Sequence, residues 1–264
     1  MPIGFLEIFD VRVRVNIPQE DWGLFEKRLM EGFGGRFRFL GECDVDVDFR
    51  LEREGEALRF FVCGDEVYCG DEEVVFSVFE GYLRREVAAR SNFVFVHSGV
   101  VGWKGKAILI PGYSYKGKTT LTAELVKLGA DYYSDEYAIV REDGLVEPFP
   151  KFLSLRGIID ERRQFDIPVE FVNGKIGREP IPIGLVVITE YKPRARWRPK
   201  FLTKGQGLLE IVQHAAPFSS KPERTLKILE KALHSAIIIK GSRGEASLVS
   251  KSILGILGEE GESF

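Results

Sequence analysis

The sequence predicts an α/β fold with a mixed sheet, preceded by a small α+β module. After about residue 90, strand-like and helix-like runs alternate, as in a sheet covered by helices. Two of the strand-like runs, FVFVHSGVV and KAILI, are separated only by a short turn at 103–105, which predicts a hairpin or two successive strands. A sheet that contains such a hairpin is not wholly parallel. We therefore expect two domains, residues 1–90 and residues 91–264.

The first domain combines strand-like and helical runs. Residues 5–17 alternate apolar and polar side chains and predict one half-exposed strand, and DWGLFEKRLMEGF after Pro18 predicts a helix. Three further strands are expected in RFRFLGE, DVDVDFRLERE and ALRFFVCGDEVYCG. Residues 72–91 carry a helical apolar stripe. Together these runs predict an antiparallel sheet with two helices.

The second domain continues with regular runs. KTTLTAELVKLGA predicts a helix that ends at Gly129, and YYSDEYAIV predicts two short strands around a polar break. LVVIT and HSAIIIK predict strands, and helical spacing marks LLEIVQHA, PERTLKILEKALH and EASLVSKSILGIL. The uniformly apolar KAILI indicates a strand that is buried on both faces.

The composition excludes several classes of function. A net charge of −3 over 264 residues gives no basic field for nucleic acid or anionic lipid. We expect a cytoplasmic protein because no apolar run reaches the length of about 18 residues that a membrane helix needs, and the first residues lack a signal-peptide core. The three cysteines have neither CxxC spacing nor nearby histidines, so idle thiols are expected rather than a zinc site.

A glycine-rich segment between KAILI and the next helix fits the pattern GxxxxGK[ST]. Backbone N–H groups and the helix N-terminus would surround phosphate oxygens there. Lys118 would neutralise the β- and γ-phosphates, and the Thr119 hydroxyl would be a Mg²⁺ ligand. The alternative is a plain turn with a solvated lysine. The predicted nucleotide-binding residues are Gly112, Tyr113, Ser114, Tyr115, Lys116, Gly117, Lys118, Thr119 and Thr120.

Two adjacent acids follow the helix, at the break after Tyr132 and Tyr133. Of Asp135 and Glu136, one carboxylate would hold Mg²⁺, and the other would accept the proton of a substrate hydroxyl. The alternative is a polar turn without chemistry. No NKxD or LSGGQ-like stretch is present, which argues against a GTPase and against a transporter ATPase.

The segment VHSGVVGWKGKAILIPGYSYKGKTTLTAELVKLGADYYSDEYAIV resembles the catalytic domain of HPr kinase/phosphorylase and its related kinases. Weaker similarity continues through PFPKFLSLRG and EYKPRARWRPKFLTKGQGLLEIVQHA, so that it covers about residues 90 to 260. The resemblance implies a P-loop kinase core of the phosphoenolpyruvate carboxykinase-like kind, with ATP as phosphoryl donor, Mg²⁺ as cofactor and a hydroxylated acceptor. It also raises a homo-oligomer as an expectation.

Position by position, the resemblance assigns roles to six residues. His97 matches the family histidine near the phosphates, Lys118 and Thr119 match the phosphate and magnesium residues of the loop, and Asp135 matches the general base. Glu136 stands at the metal-linked position, and Arg156 matches the arginine of the RG signature. The chain departs from the bacterial pattern at the loop's centre, Tyr115, and in the signature, Ser154. What carries over is therefore the transfer machinery rather than recognition of HPr.

Two interpretations, a functional role or simple solvation, apply to several basic residues. The run KPRARWRPK, residues 192–200, could hold an acidic or phosphorylated substrate or stack on a base, or could be a solvated loop. Arg243, in the turn GSRG, would reach the phosphates only if that turn lies at the same sheet edge. His97 alone, without the resemblance, reads as a hydrogen-bonded core histidine.

The sequence thus favours an ATP-dependent kinase that acts on a hydroxyl of a small molecule, such as free serine, or of a serine on a protein. A second hypothesis is a regulatory module that binds a nucleotide and transfers nothing. A third is an interaction protein with a fortuitous loop. A base such as Asp135 is needed only by the first.

Overall fold

A computed structural model describes residues 3–113, 117–151, 153–156 and 164–258 of the chain, without the side chains of 154–156, 164–166 and 217. Contacts divide the chain into two compact units, residues 1–92 and residues 93–264. Both units combine helices with a mixed sheet, so the chain is α/β in class.

Unit 1 has a six-stranded sheet in the order β3-β1-β2-β4-β5-β6. The predicted helices are confirmed as α1 (Trp22–Phe33) and α2 (Glu72–Arg90). The strands are β1 (Ile3–Ile8), β2 (Val11–Asn16), β3 (Phe37–Leu40), β4 (Val47–Glu54), β5 (Ala57–Val62) and β6 (Asp65–Gly70).

The prediction of one strand over residues 5–17 is wrong, because β1 and β2 form a hairpin that turns at Phe9, where φ is 57°. The buried side chains change parity across this turn. Leu6 and Ile8 are buried on even positions, and Val11 and Val13 are buried on odd positions. A single strand keeps one parity on its buried face, so the turn was already visible in the sequence.

Two further predictions for unit 1 need correction. The run 57–70 forms two strands, β5 and β6, around a turn at Cys63 and Gly64 with φ of 50° and 94°. The sheet is also not wholly antiparallel, because β2 and β4 pair in parallel, with Val13 opposite Val47. α1 and β3 intervene between these two strands, and a crossover of this kind returns the chain in the same direction.

An aromatic cluster fills the core of unit 1. The ring of Phe79 on α2 packs edge-on against Phe49 and Phe60, with centroids 5.5 Å and 5.2 Å apart. Phe25 of α1 meets the same ring at 5.8 Å. All four rings are at most 1% exposed. Offset and edge-on aromatic pairs of this type add to the stabilisation from burial.

Unit 2 is built on an eight-stranded sheet in the order β11-β10-β7-β8-β14-β16-β15, with β9 also paired to β7. Its main strands are β7 (Val94–Trp103), β8 (Lys106–Pro111), β9 (Asp131–Ser134), β10 (Tyr137–Val140), β11 (Leu145–Glu147), β14 (Ile181–Tyr191), β15 (Lys200–Phe201) and β16 (Ile237–Arg243). A separate pair consists of β12 (Leu153–Arg156) and β13 (Gln164–Ile167). The helices are α3 (Lys118–Lys127), α4 (Lys204–Val212), α5 (Pro222–Leu233) and α6 (Ala246–Ile256).

The large sheet is mixed, as the hairpin in the sequence predicted. β7 and β8 pair antiparallel, whereas β8, β14 and β16 run parallel to one another. Side chains of α4 and α5 join the buried cluster on one face of this sheet, and side chains of α3 and α6 join the cluster on the other face. The carboxyl ends of the three parallel strands therefore share one edge. In sheets of this type, ligands bind at that edge.

One helix starts and ends earlier than predicted. LLEIVQHA suggested a helix to residue 215, but α4 covers Lys204–Val212. Thr203 begins it through a capping box, in which its hydroxyl accepts from the Gln206 backbone and the Gln206 side chain accepts from the Thr203 backbone. His214 consequently lies past the helix. Across the described ranges, no helix is long and apolar enough to cross a membrane.

Candidate functional site

The glycine-rich segment connects β8 to α3 at the carboxyl edge of the parallel strands. Gly112 follows β8, and its N–H donates to the His97 carbonyl at 3.3 Å. Gly117 caps α3 with φ of 80°, and its carbonyl accepts from the Leu121 N–H. The left-handed backbone at this position favours glycine. Ser114, Tyr115 and Lys116, which were predicted to bind nucleotide, lie outside the described residues.

Lys118, at the start of α3, is buried inside this site. It is only 8% exposed, and its ammonium donates to the Tyr113 carbonyl at 2.9 Å. Burial lowers the pKa of Lys118, and the negative charges of Asp135 and Glu136 act in the opposite direction. A buried lysine on which two carboxylate charges act differs from the solvated first-turn lysine of the alternative interpretation. Thr119 is partly exposed, and Thr120 is exposed.

The two acids occupy the break between β9 and β10. The Ser134 hydroxyl accepts hydrogen bonds from the backbone N–H groups of Glu136 and Tyr137, at 3.2 Å and 3.1 Å. The Glu136 carbonyl accepts from the Ser98 N–H at 3.0 Å, which fixes the break against β7. Asp135 and Glu136 are both partly buried. The polar turn is thus held in one shape next to the strand that carries His97.

An ion pair that the sequence did not reveal engages one of the acids. The Lys151 ammonium lies 2.5 Å from Oε2 of Glu136. Both side chains are partly buried, so this pair is screened less than a surface pair. The Lys151 ammonium therefore neutralises the carboxylate of Glu136. Lys151 is 15 residues from Glu136 in sequence and belongs to no recognisable motif. No sequence pattern therefore predicted this ion pair.

His97 lies on β7 directly opposite Tyr137 of β10. Its Nδ1 is 2.8 Å from the Gly112 carbonyl oxygen. Because a carbonyl oxygen only accepts, we assign the ring hydrogen to Nδ1, which leaves Nε2 as a hydrogen-bond acceptor. Burial, followed by the nearby charge of Lys118, lowers the pKa of His97. The imidazole is therefore neutral at pH 7.

A second histidine, His214, also lies at this site, although the run LLEIVQHA predicts a helix at its position. Its carbonyl accepts from the His97 N–H at 2.8 Å, and its ring meets the ring of Tyr113 with centroids 4.6 Å apart. Burial lowers the pKa of His214, with smaller effects from His97 and Lys118. The capping box at Thr203 marks only the start of α4, so no sequence signal placed His214 beyond the helix.

The two other parallel strands, β14 and β16, end beside the glycine-rich segment and bring basic residues to it. Arg243, at the end of β16, donates from Nη2 to the Gly117 carbonyl at 2.6 Å. The run 192–200 follows β14, and the Lys192 N–H donates to the Arg243 carbonyl at 2.8 Å. In this run Arg194, Arg196 and Arg198 are exposed. Arg156 belongs to β12 by its backbone, and its side chain lies outside the described part.

Oxygen donors suitable for Mg²⁺ are present on one side of Lys118. Within the described residues, no group of three or more His, Cys, Asp or Glu side chains forms a ready-made metal cluster. Mg²⁺ is commonly held by only one or two carboxylates together with phosphate oxygens and water. The Thr119 hydroxyl and the adjacent carboxylates of Asp135 and Glu136 fit that requirement by their chemistry. A Mg²⁺ ion here would depend on bound phosphates for its remaining ligands.

No protein-family model matches this chain, and no curated protein is significantly similar to it. The resemblance to HPr kinases therefore rests on the sequence motifs alone.

Proposed function

We propose that this protein is an ATP-dependent kinase with a P-loop core of the phosphoenolpyruvate carboxykinase-like kind. It transfers the γ-phosphoryl group to a hydroxyl acceptor, either a small molecule such as free serine or a serine on a protein. The observation that carries the proposal is the burial of Lys118 at the carboxyl edge of β8, where the charges of Asp135 and Glu136 act on its ammonium. A plain turn has no use for a buried cation and two partly buried carboxylates.

In this mechanism Lys118 stabilises the negative charge on the donor's terminal phosphates as the bond between the γ-phosphorus and its bridging oxygen breaks. Asp135 accepts the proton of the acceptor hydroxyl as the new oxygen–phosphorus bond forms. Mg²⁺, when bound, neutralises phosphate charge. Thr119 and Glu136 would hold it. The phosphorylated acceptor and ADP leave as products.

His97 has a positioning role in this proposal. Its Nδ1–H is committed to the Gly112 carbonyl, so the ring is held in one orientation at the first residue of the loop. The ring thereby holds the start of the loop against β7, and the single proton of the acceptor hydroxyl is left to Asp135. We place the reaction in the cytoplasm, where ATP is available and where exposed thiols such as Cys63 and Cys69 stay reduced.

The test is consumption of [γ-³²P]ATP with Mg²⁺ and a panel of hydroxyl compounds, serine among them, followed by isolation of the labelled product. We expect wild-type protein to label at least one acceptor and Lys118→Ala to label none. Asp135→Asn should lose at least about 100-fold in rate while it keeps its affinity for ATP, because the base acts only on the acceptor. Wild-type protein that consumes no more ATP than Lys118→Ala refutes the kinase.

One contact favours a second candidate, a regulatory module that binds a nucleotide without transfer. Lys151 neutralises Glu136, which leaves fewer free negative charges for a metal than a transfer site needs. In that case Asp135→Asn would change nucleotide affinity instead of a rate, since Asp135 would only balance the charge of Lys118. Binding of ATP by wild type, without turnover on any acceptor, selects this candidate.

A further inference from the structure

Arg243 is a buried cation at the end of β16, and it is only 1% exposed. Its backbone lies opposite Tyr191 in the parallel pairing of β14 and β16. Both strands therefore end beside the segment that follows β8. The separation of 126 residues between Gly117 and Arg243 is closed by this sheet topology. The turn GSRG thus lies at the edge where the phosphates are expected.

The contacts of the Arg243 guanidinium are with neutral groups. Nη2 donates to the Gly117 carbonyl at 2.6 Å, and Nη1 donates to the Gly244 carbonyl at 2.9 Å. The ring of Tyr191 lies 5.8 Å from Cζ. No carboxylate of the described residues is within ion-pair distance of it, and Nε has no hydrogen-bond partner among them. A guanidinium has five N–H donors, so these two bonds leave three uncommitted.

This environment is unfavourable for a purely structural arginine. A buried charge is costly unless a charge of opposite sign compensates it. Burial accordingly lowers the pKa of Arg243, although the group stays charged at any ordinary pH. The guanidinium also contacts the N-cap carbonyl of α3, next to the positive end of the helix dipole. Two sources of positive potential therefore converge at one point.

An anion at this point would compensate the charge of the buried guanidinium. It would also accept hydrogen bonds from the uncommitted N–H donors and lie at the positive N-terminus of α3. We propose that Arg243 binds the polyphosphate of the nucleotide donor beside Gly117, on the side of β8 where β14 and β16 lie. Asp135 and Glu136 lie on the other side, toward β7. The proposal rests on the kinase function and adds a phosphate-binding residue that the loop motif does not contain.

The nearest acid provides a second way to test this assignment. Glu245 accepts a hydrogen bond from the Tyr191 hydroxyl at 2.8 Å, and its charge acts on Arg243 through space. Glu245→Gln removes that negative charge and keeps an acceptor for Tyr191. The positive potential at Gly117 should then increase, so polyphosphate should bind more tightly. A gain in affinity is not an effect that misfolding produces.

The experiment is calorimetric titration of the full chain with ATP and with inorganic tripolyphosphate. Arg243→Met should weaken both ligands by about tenfold or more, and Arg243→Lys should weaken them less, because it keeps the charge. Glu245→Gln should tighten both by about two- to threefold. Arg141→Met is the matched control, since Arg141 pairs with Asp143 and Glu147 away from the loop, and it should change neither affinity.

The outcomes separate the two proposals. If Arg243 only clamps the loop, Arg243→Met lowers the melting temperature while both affinities stay within about twofold, and the assignment fails. If Arg243→Met does not fold, an unchanged affinity in Glu245→Gln overturns the assignment by itself. Wild-type protein that binds neither polyphosphate contradicts both proposals. Binding that depends on Arg243, in a protein that consumes no ATP, supports the assignment and removes the kinase.

Discussion

The two flanks of β8 carry opposite chemistry. On the β7 side, which we call the acid flank, lie Asp135 and Glu136 with His97 and His214. On the β14 and β16 side, the cation flank, lie Arg243 and the basic run 192–200. Lys118 starts the helix that follows β8 between them.

This difference separates two tasks that a phosphoryl transfer requires. A proton acceptor must stand near the hydroxyl, and positive charge must stand near the phosphates. Each flank also contains one group of the opposite sign, since Lys151 pairs with Glu136 on the acid flank and the charge of Glu245 acts on Arg243 on the cation flank. Arg243 has no carboxylate within ion-pair distance among the described residues, which keeps its charge available. The predictions below each alter the acid flank, and Arg243 provides the corresponding change on the cation flank.

The largest effect is expected where α3 packs closest to the acid flank. A Cβ at Gly99 of β7 would overlap the Thr122 hydroxyl of α3, and Thr122 is fully buried. Gly99→Ala should therefore lower the free energy of unfolding by about 1–3 kcal/mol and weaken ATP binding, because the helix that carries Lys118 must shift. Chemical denaturation and calorimetry measure the two effects.

A double variant and a matched glycine make this prediction specific. In Gly99→Ala/Thr122→Ala, the new Cβ would be 3.6 Å from the Cβ of residue 122, an ordinary contact, so most of the stability should return. Gly205→Ala in α4 adds a methyl group with no atom within 4 Å and should not destabilise the protein. If Gly99→Ala is as stable as Gly205→Ala, Thr122 of α3 does not pack closely against Gly99 of β7, and this prediction is wrong.

A smaller effect is expected at the ion pair of Glu136. Lys151→Met removes the cation that lies 2.5 Å from Oε2 of Glu136. If Glu136 serves the metal, the released carboxylate should lower the Mg²⁺ concentration for half-maximal ATP consumption by about two- to fivefold. The measurement is a Mg²⁺ titration of the initial rate. Lys127→Met, which breaks the exposed pair with Glu124, is the control and should leave the titration unchanged.

A higher Mg²⁺ requirement in Lys151→Met would contradict this interpretation. It would mean that Lys151 supports the site, for example by holding Glu136 in the position that binds the metal, and not that it competes with the metal. The assignment of Glu136 as a ligand would then be tested by Glu136→Gln in the same titration.

The sequence predicted those parts of the site that lie within one short segment of the chain. The strand β8, the helix α3 and the acids between β9 and β10 were predicted, because each is marked by periodicity or by glycine within a short stretch. The position of His97 next to these acids depends on the pairing of Tyr137 with His97, which periodicity could not predict, and the resemblance placed His97 only near the phosphates.

The rest of the site depends on contacts between distant segments. Arg243 reaches Gly117 only because β16 lies parallel to β14, and no local pattern fixes the order of strands in a sheet. Lys151 meets Glu136 through a loop without regular spacing. His214 was missed for a different reason, since the predicted end of α4 was too late and hid it in a helix.

The smallest effect concerns the charge of the acid flank at low pH. The pKa values of His97 and His214 are lowered by burial, so the folded protein binds their protons less readily than the unfolded chain does. Their contribution to stability is therefore fully present above the unfolded pKa of about 6.5 and is lost as the pH falls below it toward the folded pKa values.

NMR can follow the protonation of each imidazole directly, because the chain has only three histidines. The imidazoles of His97 and His214, assigned with His97→Gln and His214→Gln, should titrate below 6.5, and His97 should show the Nδ1–H tautomer. His234→Gln, which alters an exposed ring, should leave both titrations unchanged. A His97 signal that titrates above the ordinary value of about 6.5 would mean that a carboxylate, and not burial with Lys118, controls the pKa of this ring.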